Sequence, residues 1–177
     1  MLLLENWMHK MGTKQEIHFS DAITLRINEY ISHYPEGRQK SAILPILHLV
    51  QDEYGWLMPE LMDKVGEILG IKSIEVYEVA TFYSMYNLKP VGKHKLEFCR
   101  TSCCVLRGAE NIMDYTLNKL DIKMGETTAD GLFTVIGVEC LGACGYAPMM
   151  QVGDDYHEHL TPEKIDEFIE SRKNAAK

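Results

Sequence analysis

All five cysteines of this 177-residue chain lie between Cys99 and Cys144, in two groups. The first reads Cys99-Arg-Thr-Ser-Cys103-Cys104 and the second Cys140-Leu-Gly-Ala-Cys144-Gly145. Each group follows a strand-like segment, His94 to Cys99 in one case and Leu132 to Val138 in the other. A fold that uses these thiols together must bring two loops, some 40 residues apart in sequence, to one place. Two pairs stand out, Cys99-x4-Cys104 and Cys140-x3-Cys144. Four thiolates converging from two loops suit a soft metal centre, either an all-cysteine zinc site or an iron–sulfur cluster.

Disulfides fit less well. The count of cysteines is odd, and the chain is long enough for an ordinary hydrophobic core that needs no covalent staples. The N-terminal Met1-Leu-Leu-Leu-Glu5-Asn-Trp7 has too short an apolar run and no basic flank for a secretory signal, so a reducing cytoplasmic setting is expected. Structural zinc usually takes tighter C-x2-C knuckles. The looser x4 and x3 spacers suit a [2Fe–2S] rhomb, in which each iron needs two thiolates. Spacing favours the cluster and leaves zinc, and with it a zinc-stabilised binding module, as the alternative. Gly142 and Gly145, inside and just after the second pair, permit a close backbone approach and could turn N–H groups towards sulfur.

The charge narrows the partners. With 18 Lys and Arg against 26 Asp and Glu, the formal charge is −8, which argues against nucleic acid. No apolar run approaches the roughly 18 residues of a membrane span, so direct membrane insertion is not expected.

The chain reads in two parts. Residues 1–19 show no clear period and are expected to form a flexible arm. Ser20 caps a first helix with Ile23, Ile27, Ile31 and Tyr34 along one stripe. Arg38 to Tyr54 is apolar nearly all round and should be the buried helix, with Pro45 in its first turn or at a kink and Gly55 closing it. Pro59 opens a third helix that Gly70 ends. Ser73 is placed as the cap of a fourth, with Ile74, Tyr77, Ala80 and Tyr83 as its stripe. The aromatic run from Phe82 to Tyr86 reads first as core plus a boundary patch, and second as a partner surface. Composition changes at Asn87 to Gly92, which places a helical bundle at residues 20–87 and a second domain at 93–177.

In the second part His94 to Cys99 alternates as a strand, Ala109 to Leu120 is helical, and Leu132 to Val138 is apolar on both faces, as in a central strand. Met149 to Val152 follows as a third strand. Asp154-Asp155 is placed as a hairpin turn into Tyr156 to Leu160, and Thr161 caps a final helix. This β-α-β, long loop, β-β-α order is the thioredoxin-like order, with the second cysteine pair in the loop. The fold class is therefore α+β. His157-x-His159 puts two imidazoles on one strand face with no third ligand near in sequence, and reads as a solvated hairpin. No Gly-rich loop follows a strand and opens a helix, so the sequence gives no sign of a nucleotide or flavin site.

Three segments carry a family resemblance. They are Glu78-Val-Ala-Thr-Phe82-Tyr-Ser-Met-Tyr-Asn-Leu-Lys-Pro90-Val-Gly92, Gly125-Glu-Thr-Thr-Ala-Asp-Gly131-Leu-Phe-Thr, and Cys140-Leu-Gly-Ala-Cys144-Gly-Tyr-Ala-Pro148-Met. Together, and in this order, they resemble the small thioredoxin-like [2Fe–2S] subunit of NADH:quinone oxidoreductase, respiratory complex I, over about residues 20 to 172. The resemblance implies a thioredoxin-like [2Fe–2S] ferredoxin domain behind the helical bundle, with one cluster on Cys99, Cys104, Cys140 and Cys144. Cys103 falls at a spacer position, so Cys99-x3-Cys103 is the alternative first pair. The resemblance further implies an electron-transfer subunit, with no NADH oxidation of its own. FMN and NADH would bind only on a partner flavoprotein subunit, further peripheral-arm subunits would adjoin, and the assembly would sit on the cytoplasmic side of the membrane. Similar subunits serve NAD-linked hydrogenases and formate dehydrogenases, which is the alternative assembly. Thioredoxin-like folds often carry a cis proline where Pro148 stands.

Overall fold

The structure, a computed structural model, describes residues 17–175. Of the arm expected at residues 1–19, residues 1–16 lie outside the described residues. Ile17 and Phe19 pack against the helical core, with the Phe19 ring 6.1 Å from that of Tyr54. The chain divides into two compact units at the Pro90–Val91 junction.

The first unit is helical. Helix α1, Asp21–Ser32, starts where the Ser20 hydroxyl accepts from Ile23 N–H at 3.3 Å, and buries Ile23 and Ile27. Tyr34 lies beyond its end and is exposed. A 3-10 turn, Gln39–Ala42, leads into α2, Ile43–Tyr54. Pro45 sits in the first turn of α2, where a missing N–H costs no hydrogen bond, and Gly55 ends the helix with φ 81°. This helix buries Ile43, Ile46, Leu47, Leu49 and Val50, as its all-round apolar pattern requires. Helix α3, Pro59–Leu69, is closed by Gly70 at φ 66°. Helix α4, Ser73–Phe82, departs from expectation at both levels. Ser73 is its first residue rather than its cap, and the Lys72 N–H is met instead by the Glu75 carboxylate at 3.0 Å. The buried side is Val76 and Ala80, while Ile74 and Tyr83 are exposed. An apolar run such as Val-Tyr-Glu-Val-Ala offers two candidate stripes, and packing against α3 selects between them.

The second unit is a four-stranded sheet with helices. Strand β1 is His94–Cys99, followed by a short helix α5, Ser102–Leu106, and by α6, Ala109–Leu120. Strand β2 is Phe133–Val138, β3 is Met150–Val152, β4 is Asp155–His157, and α7 is Pro162–Ala175. The order is β2-β1-β3-β4, with β1 parallel to β2 and the other two pairings antiparallel. Strand β2 is thus an edge strand and not central. Its apolar outer half is met by other cover: Thr128, in the preceding loop, bonds Phe133 through both backbone and side chain. The hairpin turn is Gly153–Asp154, one residue earlier than expected, and β4 ends at His157 rather than Leu160. Gly153 has φ 60°, which two-residue hairpins favour at their first turn position. The main core of this unit gathers Leu96, Phe98, Phe133, Val135, Met150, Ile165, Phe168 and Ile169 between sheet and helices. The Ala147–Pro148 peptide is cis.

Candidate metal centre

Parallel pairing of β1 with β2 decides where the thiols go. In register, Cys99 lies opposite Val138, so both strands end at the same edge of the sheet and both cysteine loops leave from there. From Cys99 the chain turns through Arg100 and Thr101 into α5, whose first turn carries Cys103 and Cys104. Gly137 makes room for this turn, since a Cβ there would overlap the Arg100 side chain. From Val138 the chain runs through Cys140 to a 3-10 turn at Cys144–Tyr146, and returns to β3 past Met149. The Met149 backbone closes the arrangement. Its carbonyl accepts from Cys99 N–H at 3.3 Å, and its N–H is directed at the Cys104 thiol.

Cys99 and Cys104 are buried, and pack with Ala109, Ala147 and Met149 in a small cluster separate from the main core. Cys103, Cys140 and Cys144 are exposed. Cys103 and Cys104, adjacent in sequence, therefore face different surroundings. All five thiols are nevertheless linked. All are free thiols; Cys99 and Cys104 are near enough to shift each other's ionisation, Cys144 is influenced first by Cys103 and then by Cys140, and the Cys104 thiol feels the charge of Cys144.

The ionisation of the buried pair is split. Burial opposes the Cys99 thiolate most strongly, but donors from Thr101, Leu141 and Cys104 outweigh it and hold this thiol below its usual range. The Thr101 hydroxyl lies 3.3 Å from Cys99 Sγ. Burial, and then the bond to Cys99, push Cys104 up to about 11. Cys144 is raised as well, first by its bond to Cys103 and then by the charges of Cys103 and Cys140. Closely spaced thiols that resist ionising together are what a multivalent cationic centre would relieve, since metal ligation deprotonates them. Among the described residues, no group of three or more His, Cys, Asp or Glu side chains is already arranged to hold a metal ion. Cys99 and Cys104 associate as a buried pair and Cys103, Cys140 and Cys144 as an exposed group of three, an all-sulfur donor set large enough for a two-iron cluster with two thiolates on each iron.

The second loop supplies its own donors. Gly142, at φ 77°, lets its N–H reach back to Cys140 Sγ at 3.4 Å. Gly145 has no positive φ, and a Cβ there would meet nothing. Four further contributors to this site were not singled out as functional from the sequence: Thr101, Leu141, Met149 and Tyr156, whose hydroxyl donates to the Leu141 carbonyl at 2.6 Å. Leu141, Met149 and Tyr156 act through tertiary placement, whereas Thr101 lies two residues from the thiol it meets. The two histidines do not share a face. His157 packs edge-on against Phe168 at 4.8 Å, and its burial lowers its pKa, whereas His159 lies past β4 in a left-handed conformation against Tyr146.

The family model described as thioredoxin-like [2Fe-2S] ferredoxin matches residues 27–173. This chain belongs to that family. The chain is 46% identical over 166 residues to an NADH-quinone oxidoreductase subunit of Rickettsia bellii, covering 93% of this chain and 99% of the relative. It is 44% identical over 144 residues to an NADH-quinone oxidoreductase subunit of Rhizobium meliloti, covering 81% and 84%. A crystal structure of an NAD+-reducing [NiFe]-hydrogenase in its H2-reduced state shares the fold, with a TM-score of 0.67 and 20% identity over 75% of this chain. The match spans only 22% of that hydrogenase chain. The family and fold accord with the α+β, thioredoxin-like [2Fe–2S] reading of the sequence. Among the described residues, no helix is long and apolar enough to cross a membrane.

Proposed function

We propose that this protein is the small electron-transfer subunit of an NADH:quinone oxidoreductase, with one [2Fe–2S] cluster held by Cys99 and Cys104 on one iron and by Cys140 and Cys144 on the other. The observation that carries this reading is the gathering of both cysteine segments at the edge where β1 and β2 end together, with Cys99 in register with Val138. The near full-length identity to a protein named as an NADH-quinone oxidoreductase subunit supports it, and ranks a respiratory assembly above a hydrogenase, to which the identity is 20%.

When bound, the cluster supplies one-electron chemistry. The chain's own residues do the rest. Cys99 and Cys104, with Met149 and Ala147, keep one side of the site dry. Thr101 Oγ1–H and the N–H groups of Leu141 and Gly142 donate to cysteine sulfur, which offsets negative charge there. Cys140 and Cys144 lie on the exposed side, where an electron donor can approach.

A hydride delivers two electrons together, so a flavin is needed between NADH and a one-electron carrier. The sequence holds no phosphate-cradling loop, and the FMN and NADH sites therefore belong to a partner subunit. The loops at 99–104 and 140–148 form the natural contact with that partner. Phe82, Tyr83 and Met85, exposed at the end of α4, offer an additional grip; Tyr86 is taken up in the helical core, where its hydroxyl bonds Leu44 O. The chain would lie peripherally, on the cytoplasmic side of the membrane, among further peripheral-arm subunits.

A diaphorase assay with ferricyanide tests the division of labour. The purified, cluster-loaded chain is expected to be inactive with NADH, and addition of the flavoprotein subunit to give a stable, active complex. Sustained NADH oxidation by the chain alone would overturn the reading.

A further inference from the structure

The Leu141–Gly142 peptide is held at both ends. Its carbonyl oxygen, on Leu141, accepts from Tyr156 Oη at 2.6 Å, and its N–H, on Gly142, donates to Cys140 Sγ at 3.4 Å. In a trans peptide these two groups point in opposite directions within one plane, so fixing the oxygen fixes the direction of the N–H. Gly142, at φ 77°, adds little resistance of its own, because glycine accepts both signs of φ. Something outside the loop must therefore choose the orientation of this peptide, and Tyr156 is placed to do it. The hairpin makes this possible. A two-residue turn at Gly153–Asp154 sets Tyr156 opposite Gln151, and alternation along β4 sends the next residue, His157, against Phe168. Tyr156 is left to reach across 15 residues of sequence to the cysteine loop.

We infer that Tyr156 is a positioning residue for the second cysteine pair, its hydroxyl holding the Leu141–Gly142 peptide so that the Gly142 N–H stays on Cys140 Sγ. The inference rests on the reading that Cys140 is a cluster ligand. A hydrogen bond accepted at the carbonyl also polarises the peptide and strengthens donation from its N–H. An N–H donated to a ligand sulfur draws charge from it and favours the reduced state. Loss of the Tyr156 hydroxyl leaves more negative charge on Cys140 and lowers the reduction potential.

The test is a redox titration of the anaerobically purified, cluster-loaded chain, followed by visible absorbance, for wild type, Tyr156→Phe and Tyr115→Phe. Tyr115 donates to Asp166 at 2.7 Å in the same unit and packs against the main core rather than the cysteine cluster, so it controls for the general loss of a tyrosine hydroxyl. Tyr156→Phe is expected to keep its full cluster content. Its ratio of reduced to oxidised cluster at a fixed ambient potential should fall about three- to tenfold, tenfold being about 59 mV for one electron. Tyr115→Phe should match wild type. Equal midpoints in wild type and Tyr156→Phe, or equal shifts in the two variants, would overturn the inference while leaving the ligand assignment standing. A wild-type chain that carries no cluster would overturn the assignment and this inference together.

Discussion

The two cysteine pairs are built differently. Cys99 and Cys104 sit at the end of the central strand β1 and in the first turn of α5, buried against Ala109, Ala147 and Met149. Cys140 and Cys144 ride on a loop between strands, exposed, and tied down by Gly142 N–H and the Tyr156 hydroxyl. One pair belongs to the hydrophobic interior and the other to the surface. A buried thiol must be brought in with its donors already in place, because an unsatisfied thiolate there is costly. An exposed thiol can rely on water until a ligand arrives. The contrast assigns the first pair a structural share in the fold and the second pair mainly a ligating one.

The largest test of that contrast is at the adjacent residues of α5. Cys104→Ser should lose nearly all the visible absorbance of the cluster, and Cys103→Ser should keep it. The reverse pattern would make Cys99-x3-Cys103 the true first pair, and equal losses would make the pairwise assignment incomplete. The next effect is kinetic. In the cluster-free chain, iodoacetamide should label Cys103, Cys140 and Cys144 about a hundredfold faster than Cys99 and Cys104, because the buried pair reacts only through local opening. Peptide mapping by mass spectrometry reads this directly, and uniform labelling would erase the contrast. Stability separates the pairs more modestly. Cys104→Ser should destabilise the cluster-free chain by about 1–3 kcal/mol through a buried hydroxyl, and Cys144→Ser by no more than about 0.5 kcal/mol, in urea unfolding. Smallest is the expected effect of Thr101→Val. It removes one of several donors on Cys99, and should speed loss of the cluster to a chelator by about tenfold at most.

Much of this was legible in the sequence because the period of the apolar residues is local. Ser20, Gly55, Pro59, Gly70 and Thr161 mark helix ends by their own side-chain or backbone chemistry, and the structure places each at a helix end. Helix α6 was bounded by its own pattern. What local pattern misses is anything decided by neighbours. The edge position of β2 depends on which strands pair, and its apolar outer face gave no sign of that. Helix α5 is five residues long, too short for a period. Val76 faces the core instead of Ile74 because α3 packs on that side. The cysteine pairs were legible as candidates, since thiols at short spacing are rare enough to notice. The groups that hold them were not: Thr101 is a common residue two places from Cys99, and Met149 and Tyr156 take their roles from where the sheet carries them.

Whether four of these five thiols hold a two-iron cluster is measured most directly by the metal and sulfide content of the anaerobically purified chain, taken with its visible spectrum. The expected result is a red-brown protein with about two irons and about two acid-labile sulfides per chain. A colourless protein with stoichiometric zinc would contradict it.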